Sequence, residues 1–187
     1  MTSIFIQILY NVNQNLDKEI YMIFLLAAGT VIMMSMSEES WYAVNDGVMG
    51  GISSGKMTVT DKQLLFHGEL SLENNGGFAS VRRPVNGDLR GSIGIRLTVK
   101  GDGRKYQLRL RQDRNFDGVA WRHEFSTDGS IQVLELKYTD FEPVFRGRLV
   151  KRAGPVVPGQ ITQAGFMIAD KMEGPFSLSV LKIEVIS

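Results

Sequence analysis

The sequence contains no cysteine and only two histidines, His67 and His123. The lack of cysteine excludes disulfide bonds, thiolate metal sites and cysteine nucleophiles. Two isolated histidines are too few ligands for a histidine-rich metal centre. The spacing of residues in the sequence identifies no general base next to a nucleophile. We therefore expect a protein that is not an enzyme, with no catalytic residues, no cofactor and no metal site.

The sequence also lacks an excess of charge of one sign. Its 21 Lys and Arg residues against 20 Asp and Glu residues leave a formal net charge of +1. A net charge this small does not attract the chain to nucleic acid or to an anionic membrane, so we expect no nucleic-acid partner. With 43% hydrophobic residues among 187, the chain can bury a core as one domain with an extension.

One long uncharged segment lies near the N-terminus, Ile20–Ser37. Its length is at the lower limit of about 18 residues for a membrane-spanning helix. Lys18 is the only basic residue before it, and Asp17 and Glu19 offset its charge, so the flank lacks the positive residues of an anchor or export signal.

Three interpretations of this segment stay open: a first β-strand within Thr30–Met36, a membrane anchor or export signal, and a buried helix. We expect residues 1–30 to be a hydrophobic N-terminal extension and residues 31–187 to be the folded domain. A cytoplasmic location is favoured. Membrane anchoring or export through residues 20–37 is the alternative.

From Trp41 onward, short alternating segments are separated by turns rich in Asn, Asp and Gly. In Ser92–Lys100 the residues Ile93, Ile95, Leu97 and Val99 alternate with polar ones, which is typical of a strand with one buried face. About ten such strands predict an all-β fold, a jelly-roll β-sandwich. The segment Phe141–Gly159 interrupts the regular succession of short strands and turns, and it is long for a connection between strands. The other main strand segments are Lys105–Gln112, Val119–Phe125, Ile131–Tyr138, Thr162–Ala169 and Phe176–Ile186.

The stretch Gly50–Thr58, GGISSGKMT, resembles a phosphate-binding P-loop. Met57 stands where the motif needs a hydroxyl group for Mg²⁺, and the β-prone Met57–Thr60 follows where a helix should begin. We interpret the glycines as providing backbone geometry in a loop, and we expect no nucleotide site.

Basic residues recur on one face of neighbouring strands, at Arg96, Arg109 and Arg111, and Arg82 and Arg122 are further candidates. Either this is a solvated sheet face, or it binds an anion, an acidic protein or a glycan.

The loop residues Asp113, Asn115 and Asp117 offer the oxygen ligands of a calcium-binding loop, but the loop lacks the glycine and glutamate that an EF-hand requires. Turn chemistry accounts for them more simply, and a structural calcium ion remains the open alternative.

Several segments together, in order from Trp41 to Ile186, resemble the complex I intermediate-associated protein 30 family. They are Trp41–Ser54, Phe66-x-Gly68 with Leu70, Asn74–Arg82, Tyr106-x-Leu108-Arg109-Leu110-Arg111, Asp140-Phe141-x-Pro143 with Arg146-Gly147, and Gly165-Phe166-x-Ile168-x-Asp170-Lys171 with Gly174-Pro175-Phe176-x-Leu178. The chain departs from the family before Trp41, where Val31–Met36 lacks the family's Asp-Phe pair.

The resemblance implies a galactose-binding-domain-like β-sandwich, similar in shape to carbohydrate-binding modules. It also implies a non-enzymatic, chaperone-like role in assembling respiratory NADH:ubiquinone oxidoreductase (complex I) or a related membrane redox complex, with a protein subunit as partner. The alternative is a carbohydrate-binding module that uses Trp121, Tyr106 and nearby arginines. Exposure of Trp121 would favour carbohydrate, and its burial would favour protein binding. The candidate interaction surface comprises Asn45, Asp46, Arg82, Arg109, Arg111, Trp121 and Arg146.

Overall fold

The computed structural model describes residues 41–60, 63–115 and 117–187. The predictions made for residues 1–30, for a strand within Thr30–Met36 and for an anchor in Ile20–Ser37 lie outside these residues. Within the described ranges, no helix has the length and apolar character needed to cross a bilayer.

Twelve strands and several single-turn 3₁₀ helices make up the described chain, so the all-β prediction is confirmed. In chain order the strands are β1 (Tyr42–Ala43), β2 (Ser54–Val59), β3 (Leu64–Leu70), β4 (Ala79–Pro84), β5 (Gly94–Gly101), β6 (Lys105–Arg111), β7 (Ala120–Ser126), β8 (Ile131–Lys137), β9 (Glu142–Phe145), β10 (Arg148–Leu149), β11 (Gln163–Ile168) and β12 (Gly174–Ile186).

The strands form two antiparallel sheets. One has seven strands in the order β1-β4-β11-β6-β7-β9-β10, and the other has five in the order β2-β3-β12-β5-β8. Their inner faces meet in a single apolar core. Phe66 of the five-stranded sheet, for example, lies 6.4 Å from Tyr106 of the seven-stranded sheet, centroid to centroid. Two-residue alternation puts every second side chain into this core.

Two local expectations were wrong. Strand β5 begins at Gly94, so Ile93 lies before it and is 54% exposed instead of sharing the buried face of Ile95. The irregular segment 141–159 is not a plain loop, because β9 and β10 pair within it as a hairpin, Arg148 opposite Phe145. This hairpin extends the seven-stranded sheet at its edge beyond β7.

Candidate functional site

The outer face of the seven-stranded sheet carries a row of arginines that come from distant parts of the sequence. In the antiparallel register, Arg82 of β4 pairs with Gly165 of β11, Gly165 pairs with Arg109 of β6, and Arg109 pairs with Arg122 of β7. We call these four residues the arginine row. The row ends at Tyr42 on β1 and at Glu142 on β9.

Strand alternation explains why the row faces outward. The neighbouring register line, Val81–Phe166–Leu108–His123, belongs to the opposite face, and Val81, Phe166 and Leu108 are buried in the core. Since successive side chains on a strand point to opposite faces, the arginines one residue away project from the outer face. Each apolar core residue thereby fixes the direction of the arginine beside it.

Arg109 is a poorly satisfied cation of the row. Its Nη1 donates to the sulfur of Met167 at 2.8 Å, and a thioether is a weak acceptor. Its Nε is buried and finds no hydrogen-bond partner among the described residues. Burial, followed by the charges of Arg111, Arg122 and Arg82, lowers the pKa of Arg109 to about 10. Cations are therefore crowded together at this point of the sheet.

Two other basic side chains on this face, Arg111 and Arg122, have stronger acceptors. Arg111 donates from Nη1 to the Gly118 carbonyl oxygen at 2.7 Å, although burial, with a contribution from the charge of Arg82, lowers its pKa. Arg122 pairs with Glu142 at 3.1 Å and lies 3.7 Å from Glu124. The charge of Arg109 is thus less well compensated than that of Arg111 or Arg122.

Two buried glutamines flank the arginine row. Gln107 donates from Nε2 to Glu124 at 3.0 Å, and its own Oε1 has no partner among the residues described. Gln163 accepts from the Tyr42 hydroxyl at 2.7 Å and donates to the Asp113 carbonyl oxygen at 3.0 Å. These amides fix the orientation of the side chains on either side of the row.

The structure brings together three residues of the predicted surface, Arg82, Arg109 and Arg111, on one face. It places Trp121 elsewhere: its side chain is 5% exposed, lies in the core, and donates from Nε1 to the Gly154 carbonyl oxygen at 3.0 Å. Arg146 lies in the exposed turn after β9, paired with Asp117.

Asn45 and Asp46 lie at the glycine-rich loop, away from the row, and their polar atoms are used inside the protein. Asp46 is fully buried and accepts hydrogen bonds from the Ser53 hydroxyl and from the backbone N–H groups of Ser53, Gly77 and Phe78. Asn45 donates to the Gly55 carbonyl oxygen and accepts from the Ser80 N–H. Asp46 holds two loops together, and Asn45 ties its own loop to strands β2 and β4.

The glycines of GGISSGKMT leave room for this buried carboxylate. A Cβ on Gly51 would lie 2.5 Å from Asp46 Cγ, and Gly50 has a φ of +94°, which side chains rarely adopt. Strand β2 begins within this stretch, at Ser54, and pairs with β3, where a P-loop would need a helix. The stretch resembles a phosphate-binding loop because a tight turn around a carboxylate needs glycine, as a phosphate-binding loop does.

Sequence reasoning missed Gly165 and Gln107 as parts of the site. The alternation of β6 implied that Gln107 shares a face with Arg109 and Arg111. No local signal, however, places Gly165 between Arg82 and Arg109, because that arrangement depends on the pairing of β11 with both β4 and β6.

The exposed apolar loop of Val48, Met49 and Ile52, 62%, 61% and 56% exposed, was missed too. The sequence shows that these loop residues are apolar, but it does not show that their side chains are exposed to solvent.

Comparisons with known proteins place this chain in a family. The family model "Complex I intermediate-associated protein 30 (CIA30)" matches residues 32–180. The mouse protein "Complex I intermediate-associated protein 30, mitochondrial" is 27% identical over 165 residues, covering 76% of this chain and 50% of the mouse protein. The chain therefore spans about half the length of that curated relative.

Among solved structures, two family 11 carbohydrate-binding modules of Clostridium thermocellum share the fold. One, bound to a beta-1,3-1,4-mixed-linked tetrasaccharide, has a TM-score of 0.59 at 17% identity, covering 79% of this chain and 89% of the module. The other, from the cellulase Lic26A-Cel5E, has a TM-score of 0.60 at 15% identity, covering 91% and 96%. At such identities the likeness establishes the jelly-roll sandwich alone. By its sequence the chain belongs to the complex I intermediate-associated protein 30 family.

Proposed function

We propose that this chain is a non-enzymatic protein-interaction module that assists the assembly of respiratory NADH:ubiquinone oxidoreductase or a related membrane redox complex. Family membership and the name of the mouse relative support the assembly role. The arginine row is the observation that identifies a surface for this interaction. Its central cation, Arg109, lacks a strong acceptor among the described residues.

A face built in this way suits a protein partner. Arginine and tyrosine are enriched in protein interfaces, where large side chains with a planar polar group add contact area and directed hydrogen bonds. Both residue types occur here: Tyr42 is 38% exposed at one end of the row, and the guanidinium of Arg82, itself 7% exposed, lies 5.1 Å from the centre of the Tyr42 ring. An acidic patch on a complex subunit is the complementary surface.

Affinity capture with matched variants tests the proposal. The baits are the wild-type chain, Arg109→Gln and the control Arg96→Gln, whose arginine is paired with Glu135 on the five-stranded sheet. We expect the wild type and Arg96→Gln to recover redox-complex subunits and Arg109→Gln to recover less. Failure of the wild-type bait to recover any such subunit would overturn the assembly role.

Carbohydrate binding is the second candidate, supported by the jelly-roll fold shared with the clostridial modules. Sugar-binding sheets stack aromatic rings on the ligand, and here both tryptophans are buried, Trp41 at 9% and Trp121 at 5% exposure. Tyr42, 38% exposed, is an exposed ring on the arginine face. A glycan array with the wild type and Tyr42→Ala decides the matter, and binding no stronger than background removes this candidate.

A further inference from the structure

We propose that this protein docks on a neutral lipid surface through an apolar tip, formed at one end of the sandwich by Val48, Met49, Ile52, Leu72 and Met172. The first three belong to the loop before β2, Leu72 to the loop before β4, and Met172 to the turn before β12. Leu72 is 41% and Met172 58% exposed, so these side chains reach solvent as those of the first loop do. This docking is independent of the assembly role, since it uses a different surface and a different partner.

The sheet topology brings the three loops to the same end of the sandwich. Strand β3 ends at Leu70, which pairs with Gly174 at the start of β12. One residue earlier, Glu69 pairs with Ser54 at the start of β2. The loop before β4 begins where β3 ends. Apolar residues from three separate parts of the sequence therefore meet around one strand end.

Hydrogen bonds between the loops hold the tip in one arrangement. The Ser71 N–H donates to the hydroxyl oxygen of Ser53 at 3.0 Å, which ties the residue before Leu72 to the residue after Ile52. The Leu72 N–H donates to Oε1 of Glu173, the residue after the tip methionine, at 2.9 Å. Each of these bonds joins chain next to a tip residue. The exposed apolar side chains thus share one preorganised surface.

The backbone of these loops is suited to leave water. Several of its N–H groups already donate to acceptors within the protein, among them those of Val48, Gly50, Gly51, Leu72, Gly76 and Met172. An N–H group with an internal acceptor loses little when it enters an apolar environment, whereas an unpaired one loses its bond to water. Exposed apolar side chains on an internally bonded backbone favour lipid, which offers no directed hydrogen bonds beyond its headgroups.

The charges of these loops select a neutral lipid surface. In residues 44–53, 71–78 and 169–173 the ionisable side chains are four carboxylates and one lysine: Asp46, Glu73, Asp170, Glu173 and Lys171. Arg104 adds one further cation through its pair with Asp170. Carboxylates still outnumber basic groups, so the tip is not attracted to anionic lipid and binds through its apolar area. Zwitterionic phosphatidylcholine is the matching surface.

A tryptophan placed in the tip tests the docking on the full chain. Met49→Trp is titrated with vesicles of brominated phosphatidylcholine, which quenches tryptophan that enters the bilayer. The matched control is Val133→Trp, at a position that is 62% exposed on β8 of the five-stranded sheet. Both native tryptophans are buried and provide a common background. We expect quenching of Met49→Trp and none of Val133→Trp beyond that background.

Further substitutions in the Met49→Trp chain measure the contribution of the tip. Val48→Ser with Ile52→Ser should raise the vesicle concentration at half-maximal quenching about ten-fold, because two apolar side chains no longer leave water. Val133→Ser should leave it unchanged. Replacing about a fifth of the lipid by phosphatidylserine should not lower it, since the tip carries no excess of positive charge. Melting temperatures of the variants confirm folding.

Two outcomes overturn the lipid docking: no quenching of Met49→Trp, or equal quenching of Met49→Trp and Val133→Trp. If quenching is absent and the serine substitutions instead reduce capture of redox-complex subunits from a detergent extract, the tip binds protein and the lipid docking is wrong, while the assembly role stands. Selective quenching of Met49→Trp without capture of any subunit leaves the lipid docking in place and removes the assembly role.

Discussion

Single side chains decide how the loops of this sandwich are held, and Asp46 is the clearest case. Its buried carboxylate accepts hydrogen bonds from Ser53, Gly77 and Phe78, and so joins the loop before β2 to the loop before β4. Burial by itself raises the pKa of Asp46, but the hydrogen bonds to the charged form outweigh it, and the pKa lies below 3.8. The folded state therefore favours the ionised carboxylate.

Replacing Asp46 by Asn should reduce the free energy of unfolding by about 2–3 kcal/mol, because buried N–H donors lose a charged acceptor. The depressed pKa stabilises the fold above about pH 4, and this contribution is lost as the pH falls through the folded pKa. Urea unfolding between about pH 2 and pH 6 measures both effects. The wild type should lose more stability on acidification than Asp46→Asn. Asp140→Asn, at an exposed carboxylate, is the control, and equal acid sensitivity of wild type and Asp46→Asn would contradict this role.

At the scale of strands and turns, a buried ion pair joins the start of β6 to the turn before β12. Arg104 contacts Asp170 through two hydrogen bonds, of 2.9 Å from Nε and 2.7 Å from Nη2, and both side chains are less than 10% exposed. Arg104 also donates to the carbonyl oxygens of Gly174 and Pro175. One guanidinium thereby satisfies several backbone acceptors at this end of the sandwich.

Asp170→Asn should destabilise the protein by about 3–5 kcal/mol, because it leaves the buried Arg104 without its counter-charge. The exposed pair Arg96–Glu135 provides the comparison, since Glu135→Gln should cost less than about 1 kcal/mol. Chemical denaturation of both variants measures the difference. Similar losses for the two would show that burial does not set the strength of the Arg104 pair.

The pairing of β2 with β3 depends on a close approach of backbones at Gly68. A Cβ there would lie 1.9 Å from the Ser54 carbonyl oxygen, so Gly68→Ala should push β2 away from the sheet and cost at least about 2 kcal/mol. Gly47→Ala is the matched control, because nothing lies within 4 Å of its Cβ and its φ is not positive. Thermal unfolding compares the two, and equal melting temperatures would rule out this steric role.

At the scale of the whole molecule, charge is distributed unevenly although the net charge is only +1. Arginines gather on the outer face of the seven-stranded sheet, whereas on the five-stranded sheet Arg96 is matched by Glu135 and Lys182 by Glu184. A positive face on a nearly neutral protein orients an acidic partner without attracting every anion in solution.

Docking through this face should depend on salt. Raising the ionic strength from about 0.1 M to about 1 M shortens the Debye length from about 10 Å to about 3 Å, so association with a captured subunit should slow. Surface plasmon resonance measures the rate constants. Arg109→Gln should bind more weakly and respond less to salt than Arg96→Gln. An association rate that does not vary with salt would contradict electrostatic docking.

Local patterns predicted much of this fold. Two-residue alternation gave the positions of β5, β6, β7 and β8 within a few residues, since it follows from the pleat of a single strand. It also placed Arg109 and Arg111 on one face. The ends of strands were less predictable: Ile93 continues the alternation of β5 but lies before its first residue and is exposed, although its N–H donates to the carbonyl oxygen of Ile186 at the end of β12.

The sequence by itself determined the all-β class, the absence of cysteine chemistry, the glycine-rich turns and the resemblance that led to the family. Only the tertiary structure decided that Trp121 belongs to the core, that Asp46 is a buried acceptor, and that Gly165 separates Arg82 from Arg109. The physical reason is that alternation and turn chemistry act between neighbours in the chain. The arginine row is instead set by antiparallel register between strands that lie far apart in the sequence.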